Sequence, residues 1–216
     1  MKLQVAIDRV DLEDAVALAK QLDGKTDIVE MGTSLVKDYG NIAIRSLREV
    51  LPNTQLLVDS KTIDEGAYEF EQGFKNGGDI LTVMGAASLD TLKVCYDVTQ
   101  KRNKTMMIDL LELSDEKIER IKDFPEAIYA LHHSIDRTDK LDATASVAAF
   151  KEKFPEIKRL AIAGGIDLAQ AKALAEQRII ELVIVGSNIT KADNLLKATN
   201  KFMGVVHNEY NQNNHE

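Results

Sequence analysis

The chain has 216 residues, with 44% hydrophobic and 29% charged residues, which is ordinary for a soluble globular protein. This length predicts one domain with a substantial core. The formal net charge is −8, and no segment interleaves basic with aromatic residues. We therefore expect neither a nucleic acid nor a membrane surface as a partner.

The cysteine content and the two ends of the chain suggest a simple organisation. Cys95 is the single cysteine, so no internal disulfide can form, and its place in "LKVCYDV" predicts a packed thiol on a helix face. The first residues, "MKLQVAID", lack the apolar region of a signal peptide, and no run is long enough to span a membrane. We expect a cytoplasmic protein whose catalytic domain covers residues 1–206, followed by a polar, frayed tail at 207–216.

Eight short apolar runs alternate with helix-like segments along the chain. The runs are "LQVAI" (3–7), "DIVEM" (27–31), "QLLVD" (55–59), "DILTVM" (79–84), "TMMID" (105–109), "AIYALH" (127–132), "RLAIAG" (159–164) and "ELVIVG" (181–186). Most are apolar almost throughout, which is typical of parallel strands covered on both faces. The segments between them show helical spacing, and Asp11, Ser88 and Ser114 are placed to cap three of the helices.

This alternation predicts a single α/β domain, a (β/α)8 or TIM barrel. A doubly wound open sheet is the alternative, but it would need fewer strands, and no Gly-x-Gly-x-x-Gly motif follows the first run. The longest irregular connection, at 133–146, follows the sixth run, and a lid could form there.

Polar and small residues follow the predicted strands at the ends where barrel enzymes hold their active sites. They are Asp8, Glu30, Asp59, Lys61, Asp109 and His132, together with Gly164, Gly165, Gly186 and Ser187. A single acid after a strand is usually a helix cap or turn residue. The whole set at one end of a barrel instead indicates an active site.

The side chains of this set suggest separate tasks. Carboxylates such as Glu30 and Asp59 suit a hard divalent cation. Lys61, flanked by acids, should stay protonated and stabilise negative charge rather than act as a nucleophile. Side chains alternate along a strand, so we expect His132 to point into the mouth and His133 to turn aside.

The last two strands end in "IAGGID" and "IVGSNIT". Small residues there let backbone N–H groups approach an anion, and phosphate often binds at this place in barrels. Tight turning between strand and helix is the alternative reason for the glycines. Two such motifs together favour phosphate binding.

The motifs "LQVAID", "VEMGTSLVKDYG", "VDSKTIDEG", "GGDILTVMGAA", "AGGI" and "VGSNI" resemble the 3-hexulose-6-phosphate synthases of the orotidine monophosphate decarboxylase superfamily. The Asp-x-Lys-x-x-Asp motif of that superfamily corresponds to Asp59, Lys61 and Asp64. The resemblance extends to about residue 203.

The resemblance implies a homodimer in which Asp64 reaches the partner's active site. It also implies Mg²⁺ on Glu30 and Asp59, and phosphate on the loops after strands seven and eight. Asp8 and Lys61 would contact sugar hydroxyls and enediolate oxygens. The implied reaction joins D-ribulose 5-phosphate and formaldehyde through a 1,2-enediolate, with His132 or an acid as the base.

A sibling family, the 3-keto-L-gulonate-6-phosphate decarboxylases, shares these residues and the enediolate. It tends to have Glu, Arg and Thr where this chain has Asp109, Ile135 and Ala163, so these positions favour the synthase. A barrel that binds a sugar phosphate without turnover is a third hypothesis. Departures from the synthase pattern at His133, Glu65 and Ser187 bear on the substrate more than on the fold.

Overall fold

The computed structural model describes residues 1–134 and 142–207. Eight parallel strands close into a barrel in chain order, and the last strand pairs with the first. The strands are β1 (Lys2–Ile7), β2 (Ile28–Met31), β3 (Gln55–Thr62), β4 (Ile80–Met84), β5 (Thr105–Asp109), β6 (Ile128–His132), β7 (Leu160–Ala163) and β8 (Leu182–Val185). The predicted (β/α)8 barrel is confirmed, and the open sheet is excluded because β8 closes on β1.

Helices connect the strands and cover the barrel. They are α1 (Leu12–Leu22), α2 (Thr33–Tyr39), α3 (Asn41–Val50), α4 (Gly66–Lys75), α5 (Leu89–Lys101), α6 (Asp115–Ile121), α7 (Ala143–Lys153), α8 (Leu168–Gln177), α9 (Ser187–Thr190) and α10 (Leu195–Val206). The side chains of Asp11, Ser88 and Ser114 each accept a backbone N–H in the first turn of α1, α5 and α6. All three predicted caps are therefore confirmed.

Apolar side chains fill the lower interior of the barrel. They are Ile28, Leu57, Ile80, Met107, Ile128, Ala130, Ala161 and Leu182. A second, larger cluster lies between the strands and the surrounding helices. Leu57, Met107 and Ala130 also border the cavity above them, so the interior cluster forms the floor of the mouth.

Strand β3 is longer than the predicted run at 55–59, because it continues to Thr62. The pairing of β3 with β4 shifts between Val58 and Thr62, and Lys61 in this interval has a left-handed backbone with φ of 47°. Lys61 therefore lies inside an irregular strand end rather than in a turn after the strand. Its backbone N–H donates to Thr82 Oγ1 at 2.9 Å, which fixes the irregular segment to β4.

Charged side chains join the opposite, N-terminal ends of β3, β4 and β5. The Asp79 carboxylate accepts hydrogen bonds from Arg48 Nη1 at 2.7 Å, Lys104 Nζ at 2.6 Å and the Leu56 backbone N–H at 3.0 Å. One acid thus links α3 with the starts of three strands.

The remaining predictions about organisation have mixed outcomes. Cys95 is fully buried, and burial raises the pKa of its thiol to about 12, which confirms a packed thiol. In the part of the chain that the structure describes, no helix has the length and apolar character needed to cross a membrane. Half of the connection at 133–146, where a lid was expected, is residues 135–141, and most of the tail is residues 208–216; both of these ranges lie outside the described residues.

Candidate active site

A cavity of about 380 Å³ opens at the C-terminal ends of the strands. The predicted site residues that line it are Asp8, Glu30, Asp59, Lys61, Asp109, His132, Gly164, Gly165, Gly186 and Ser187. The barrel brings these residues together because every parallel strand ends at the same rim. Asp64 is the predicted site residue that does not line this cavity.

Lys61 lies at the centre of a charged cluster on β3, β5 and β6. Its Nζ is 2.7 Å from Asp109 Oδ2 and 3.2 Å from Asp59 Oδ2. The same Asp109 oxygen lies 2.9 Å from His132 Nδ1. The ammonium group and the imidazole ring are therefore held side by side by one carboxylate.

The opposite charges in this cluster stabilise the ionised forms of Lys61 and Asp109. Burial would lower the pKa of Lys61, but Asp59 and Asp109 outweigh it and raise that pKa above its ordinary value. Burial would likewise raise the pKa of Asp109, but the hydrogen bond with His132 and the charge of Lys61 lower it to about 2. Lys61 is thus a fixed cation at neutral pH, as predicted.

The ionised Asp109 also sets the tautomer of His132. A carboxylate without a proton can only accept hydrogen bonds, so His132 Nδ1 must carry the hydrogen that it shares with Asp109. In this tautomer, Nε2 is the nitrogen that can accept a proton.

Two threonines hold the Asp59 carboxylate in place. Thr33 Oγ1 donates to Asp59 Oδ2 at 2.5 Å, and Thr82 Oγ1 donates to Asp59 Oδ1 at 2.8 Å. Neither threonine is among the residues predicted from the sequence. The available signal is weak: Thr82 interrupts the apolar run of β4 two residues after Ile80, and so faces the same side.

Glu30 is buried in the wall of the cavity, where Gln4 Nε2 donates to its Oε2 at 2.5 Å. Burial, and then the nearby charges of Asp59 and Asp8, raise the pKa of Glu30 to about 8. Gln4 was also not selected from the sequence, although a glutamine inside the apolar run "LQVAI" is a usable signal. Its Oε1 is buried and has no hydrogen-bond partner among the described residues.

The donor set around Glu30 and Asp59 fits Mg²⁺. Both groups offer only oxygen, and a divalent cation would offset the repulsion that adds to burial in raising the pKa of Glu30. Among residues 1–134 and 142–207, no group of three or more His, Cys, Asp or Glu is arranged to hold a metal. Mg²⁺ commonly takes one or two protein carboxylates and completes its shell with water and substrate oxygens.

Asp8 is fixed at the rim of the mouth by the segment after β2. Its Oδ1 accepts hydrogen bonds from Ser34 N–H at 3.2 Å and Ser34 Oγ at 2.8 Å. Gly32 lies directly against the Asp8 carboxylate, and a Cβ at that position would overlap it. Only glycine therefore lets the β2 loop pass this acid.

The two glycines after β7 have different structural requirements. Gly164 has φ of 123°, and a Cβ there would lie 2.6 Å from the His133 carbonyl oxygen, so close turning accounts for this glycine. Gly165 has φ of 64° with open space where a Cβ would be, and it faces the cavity. Asn188 Nδ2 donates to the Ile166 carbonyl at 2.8 Å, which joins the β7 loop to the β8 loop.

His133 departs from its prediction. The expectation that it turns aside is wrong, because His133 borders the cavity together with His132. Strict alternation of side chains does not extend this far, since β6 ends at His132.

Asp64 lies outside the mouth, at the surface near the start of α4. Its Oδ1 accepts the backbone N–H of Glu65 at 2.8 Å, and it borders a separate depression with Tyr68 and Val94. Glu65 itself has a left-handed backbone, with φ of 52°. Within one subunit, the structure therefore does not bring Asp64 to the other site residues.

The fold and the site together define a class of protein. It is a (β/α)8 barrel with an acid–lysine–histidine cluster at the carboxyl ends of its strands. Residues 1–202 match the model of the family described as "Orotidine 5'-phosphate decarboxylase / HUMPS family". The chain belongs to this family.

Known proteins similar to the chain include synthases and decarboxylases. The 3-hexulose-6-phosphate synthase of Staphylococcus aureus (strain USA300) is 32% identical over 95% of this chain and 99% of its own length. A crystal structure of 3-hexulose-6-phosphate synthase from Salmonella typhimurium matches with a TM-score of 0.83 and 26% identity, covering 96% of this chain and 99% of that one. A crystal structure of 3-keto-L-gulonate-6-phosphate decarboxylase from Vibrio cholerae matches with a TM-score of 0.81 and 25% identity. It covers 96% of this chain and 97% of that one.

Proposed function

We propose that the chain catalyses the reversible aldol condensation of D-ribulose 5-phosphate with formaldehyde to hexulose 6-phosphate. The observation that carries the proposal is the Lys61 ammonium between Asp59 and Asp109, with His132 on the same Asp109 oxygen. The names of the similar synthases support hexulose 6-phosphate as the product.

Each reacting group has a residue suited to it. The phosphate of the ketose would lie at the loops of Gly165 and Ser187, and Asp8 would bind a sugar hydroxyl. His132 Nε2 takes the proton from C1, which leaves a 1,2-enediolate. Lys61 stabilises the negative charge on its oxygens. The C1 carbon then attacks the carbonyl carbon of formaldehyde, and the new alkoxide takes up a proton.

Mg²⁺ is part of this proposal. Glu30 and Asp59 would hold it, and when bound it would polarise the ketose carbonyl and lower the cost of charge on the enediolate oxygens. Gln4 and the two threonines would keep the carboxylates oriented towards it.

The direct test is an assay with D-ribulose 5-phosphate, formaldehyde and Mg²⁺ in which hexulose 6-phosphate is coupled to a reporter enzyme. We expect turnover by the wild type and a loss of roughly 10²- to 10³-fold in kcat for Lys61→Ala, because the cation at the enediolate is removed. Circular dichroism of the variant would show whether the fold is kept. Absence of wild-type turnover would overturn the proposal, and full activity of Lys61→Ala would remove Lys61 from the mechanism.

The decarboxylase is the competing activity, since a solved decarboxylase has nearly the same structural similarity. Asp109 and Ala163 both border the cavity and carry the synthase-like side chains, whereas Ile135 lies outside the described residues. Release of carbon dioxide from 3-keto-L-gulonate 6-phosphate, without aldol activity, would favour the decarboxylase. Ligand binding without either reaction would favour the non-catalytic barrel.

A further inference from the structure

Two cations at the mouth of the cavity take no part in the cluster around Lys61. Arg9 and Lys191 both line the cavity, and both side chains are exposed. Among the described residues, neither side chain forms an ion pair or hydrogen bond, whereas Lys61 is held by two acids. These two cations are therefore available to a ligand.

Arg9 and Lys191 approach the cavity from neighbouring elements. Arg9 follows β1, and Lys191 follows α9, which packs against β1. Strands β1 and β8 are paired, so both cations lie on the side of the mouth that holds the β8 loop.

The backbones of both residues are fixed although their side chains are exposed. The Arg9 N–H donates to Ser34 Oγ at 2.7 Å, and Arg9 has a left-handed φ of 55°. A left-handed backbone is disfavoured for arginine, so the surrounding contacts must hold the backbone of this residue in place at the rim. The Lys191 N–H donates to the Ser187 carbonyl at 3.0 Å, which places this lysine one helical turn beyond the β8 loop.

We propose that Arg9 and Lys191 bind the phosphate dianion of the substrate. Their role follows from the charges that line the mouth. Its wall carries the acids Asp8, Glu30, Asp59 and Asp109, and the Lys61 ammonium among these acids is already paired. Positive charge beside the β8 loop would stabilise a phosphate dianion there, and Ser187 in that loop supplies none. The Arg9 guanidinium can bind two phosphate oxygens at once, and the Lys191 ammonium adds a point charge.

The inference rests on the proposed sugar-phosphate activity, and steady-state kinetics test it. We expect Lys191→Gln and Arg9→Gln each to raise the KM for D-ribulose 5-phosphate by roughly 5- to 20-fold with little change in kcat, because the phosphate does not react. Lys201→Gln is the matched control, since Lys201 is an exposed lysine of α10 that does not line the cavity. A KM within twofold of the control for both variants, or a fall in kcat at unchanged KM, would overturn the inference.

Calorimetric titration with D-ribulose 5-phosphate separates this inference from the proposed reaction. If the wild type binds the compound without turnover, and Lys191→Gln and Arg9→Gln weaken binding while Lys201→Gln does not, the inference stands and the proposed reaction fails. If the wild type does not bind it, or if the variants bind as the wild type does, the inference fails. Raising the NaCl concentration should weaken binding by the wild type more than binding by a variant that carries both Arg9→Gln and Lys191→Gln. The reason is that salt screens exposed charges, and this variant lacks both of them.

Discussion

At the scale of single residues, the hydroxyl of Thr82 connects the two most important groups of the candidate site. It donates to Asp59 Oδ1 at 2.8 Å and accepts the Lys61 backbone N–H at 2.9 Å. Thr82 is buried, so water cannot replace either hydrogen bond easily. Thr82 is therefore a positioning residue for the carboxylate of Asp59 and for the left-handed backbone of Lys61.

Thr82→Val keeps the shape of the side chain but removes both hydrogen bonds. We expect kcat to fall by roughly 10- to 100-fold, because misplacement of Asp59 and Lys61 weakens the stabilisation of the enediolate. We also expect a higher Mg²⁺ concentration for half-maximal activity, a readout that a loss of packing alone would not move. Thr82→Ser, which retains the hydroxyl, is the control. Equal kinetics for the valine and serine variants would contradict this role.

The sequence predicts the charged residues of the site better than their supports. Asp59 and Lys61 stand out because acids and a lysine interrupt the end of an apolar run. A threonine in a strand is ordinary, so the interruption of the β4 run by Thr82 is only a weak sign that it binds both groups. The left-handed conformation of Lys61 is not predictable either, because a non-glycine residue adopts it only when its surroundings enforce it.

At the scale of elements, the Asp79 network holds the N-terminal ends of β3, β4 and β5 together. Burial would raise the pKa of Asp79, but the hydrogen bond from Lys104, the Leu56 N–H and the charge of Arg48 lower it below its ordinary value. A carboxyl with a lowered pKa stabilises the fold at pH values above its unfolded-state pKa. This contribution is lost as the pH falls through the lower pKa of the folded state.

We expect Asp79→Asn to lower the free energy of unfolding at pH 7 by about 1–2 kcal/mol. This value lies towards the lower end of the range for hydrogen bonds to charged groups, because Asp79 is only half-buried. The difference between variant and wild type should shrink as the pH falls below about 4. Urea unfolding at several pH values measures this. Glu176→Gln, which removes an exposed pair with Lys172, should cost little and serves as the control. A difference that is independent of pH would contradict the role of the Asp79 charge.

Strand and helix positions follow closely from the apolar runs and caps, with β3 as the informative exception. Its last three residues, Ser60, Lys61 and Thr62, are polar and predict a turn, yet Thr62 pairs with Val83 of β4. Pairing with a neighbouring strand can extend a strand beyond its apolar residues, and local sequence does not contain that information.

At the scale of the whole molecule, closure of the barrel converts separate sequence positions into one site. Asp8 and His132 are far apart in the chain, but both border the same cavity. Topology alone predicts this convergence, because parallel strands of a closed barrel end at one rim. It cannot predict how Asp64 is used, since this residue lies outside the mouth of its own subunit.

The surface around Asp64 is suited to a second subunit. Three side chains near it, those of Ile63, Tyr68 and Val94, are 53%, 64% and 40% exposed, so a partner could cover them. We propose a homodimer in which Asp64 of one subunit completes the active site of the other, as the resemblance implies. In such a symmetric dimer, each subunit would give and receive the same residue.

A heterodimer with one mutation in each subunit tests this arrangement. Subunits carrying Asp64→Asn and Lys61→Ala, co-expressed with different tags and purified together, would contain one site with both native residues and one with neither. We expect the two single-variant homodimers to be nearly inactive and this heterodimer to recover about half of the wild-type activity, because one of its two sites is intact. A heterodimer of Lys61→Ala with Asp109→Asn should stay inactive, since each of its sites lacks one residue contributed by the same subunit. An inactive Asp64→Asn/Lys61→Ala heterodimer, or a monomer in sedimentation experiments, would contradict the sharing of Asp64.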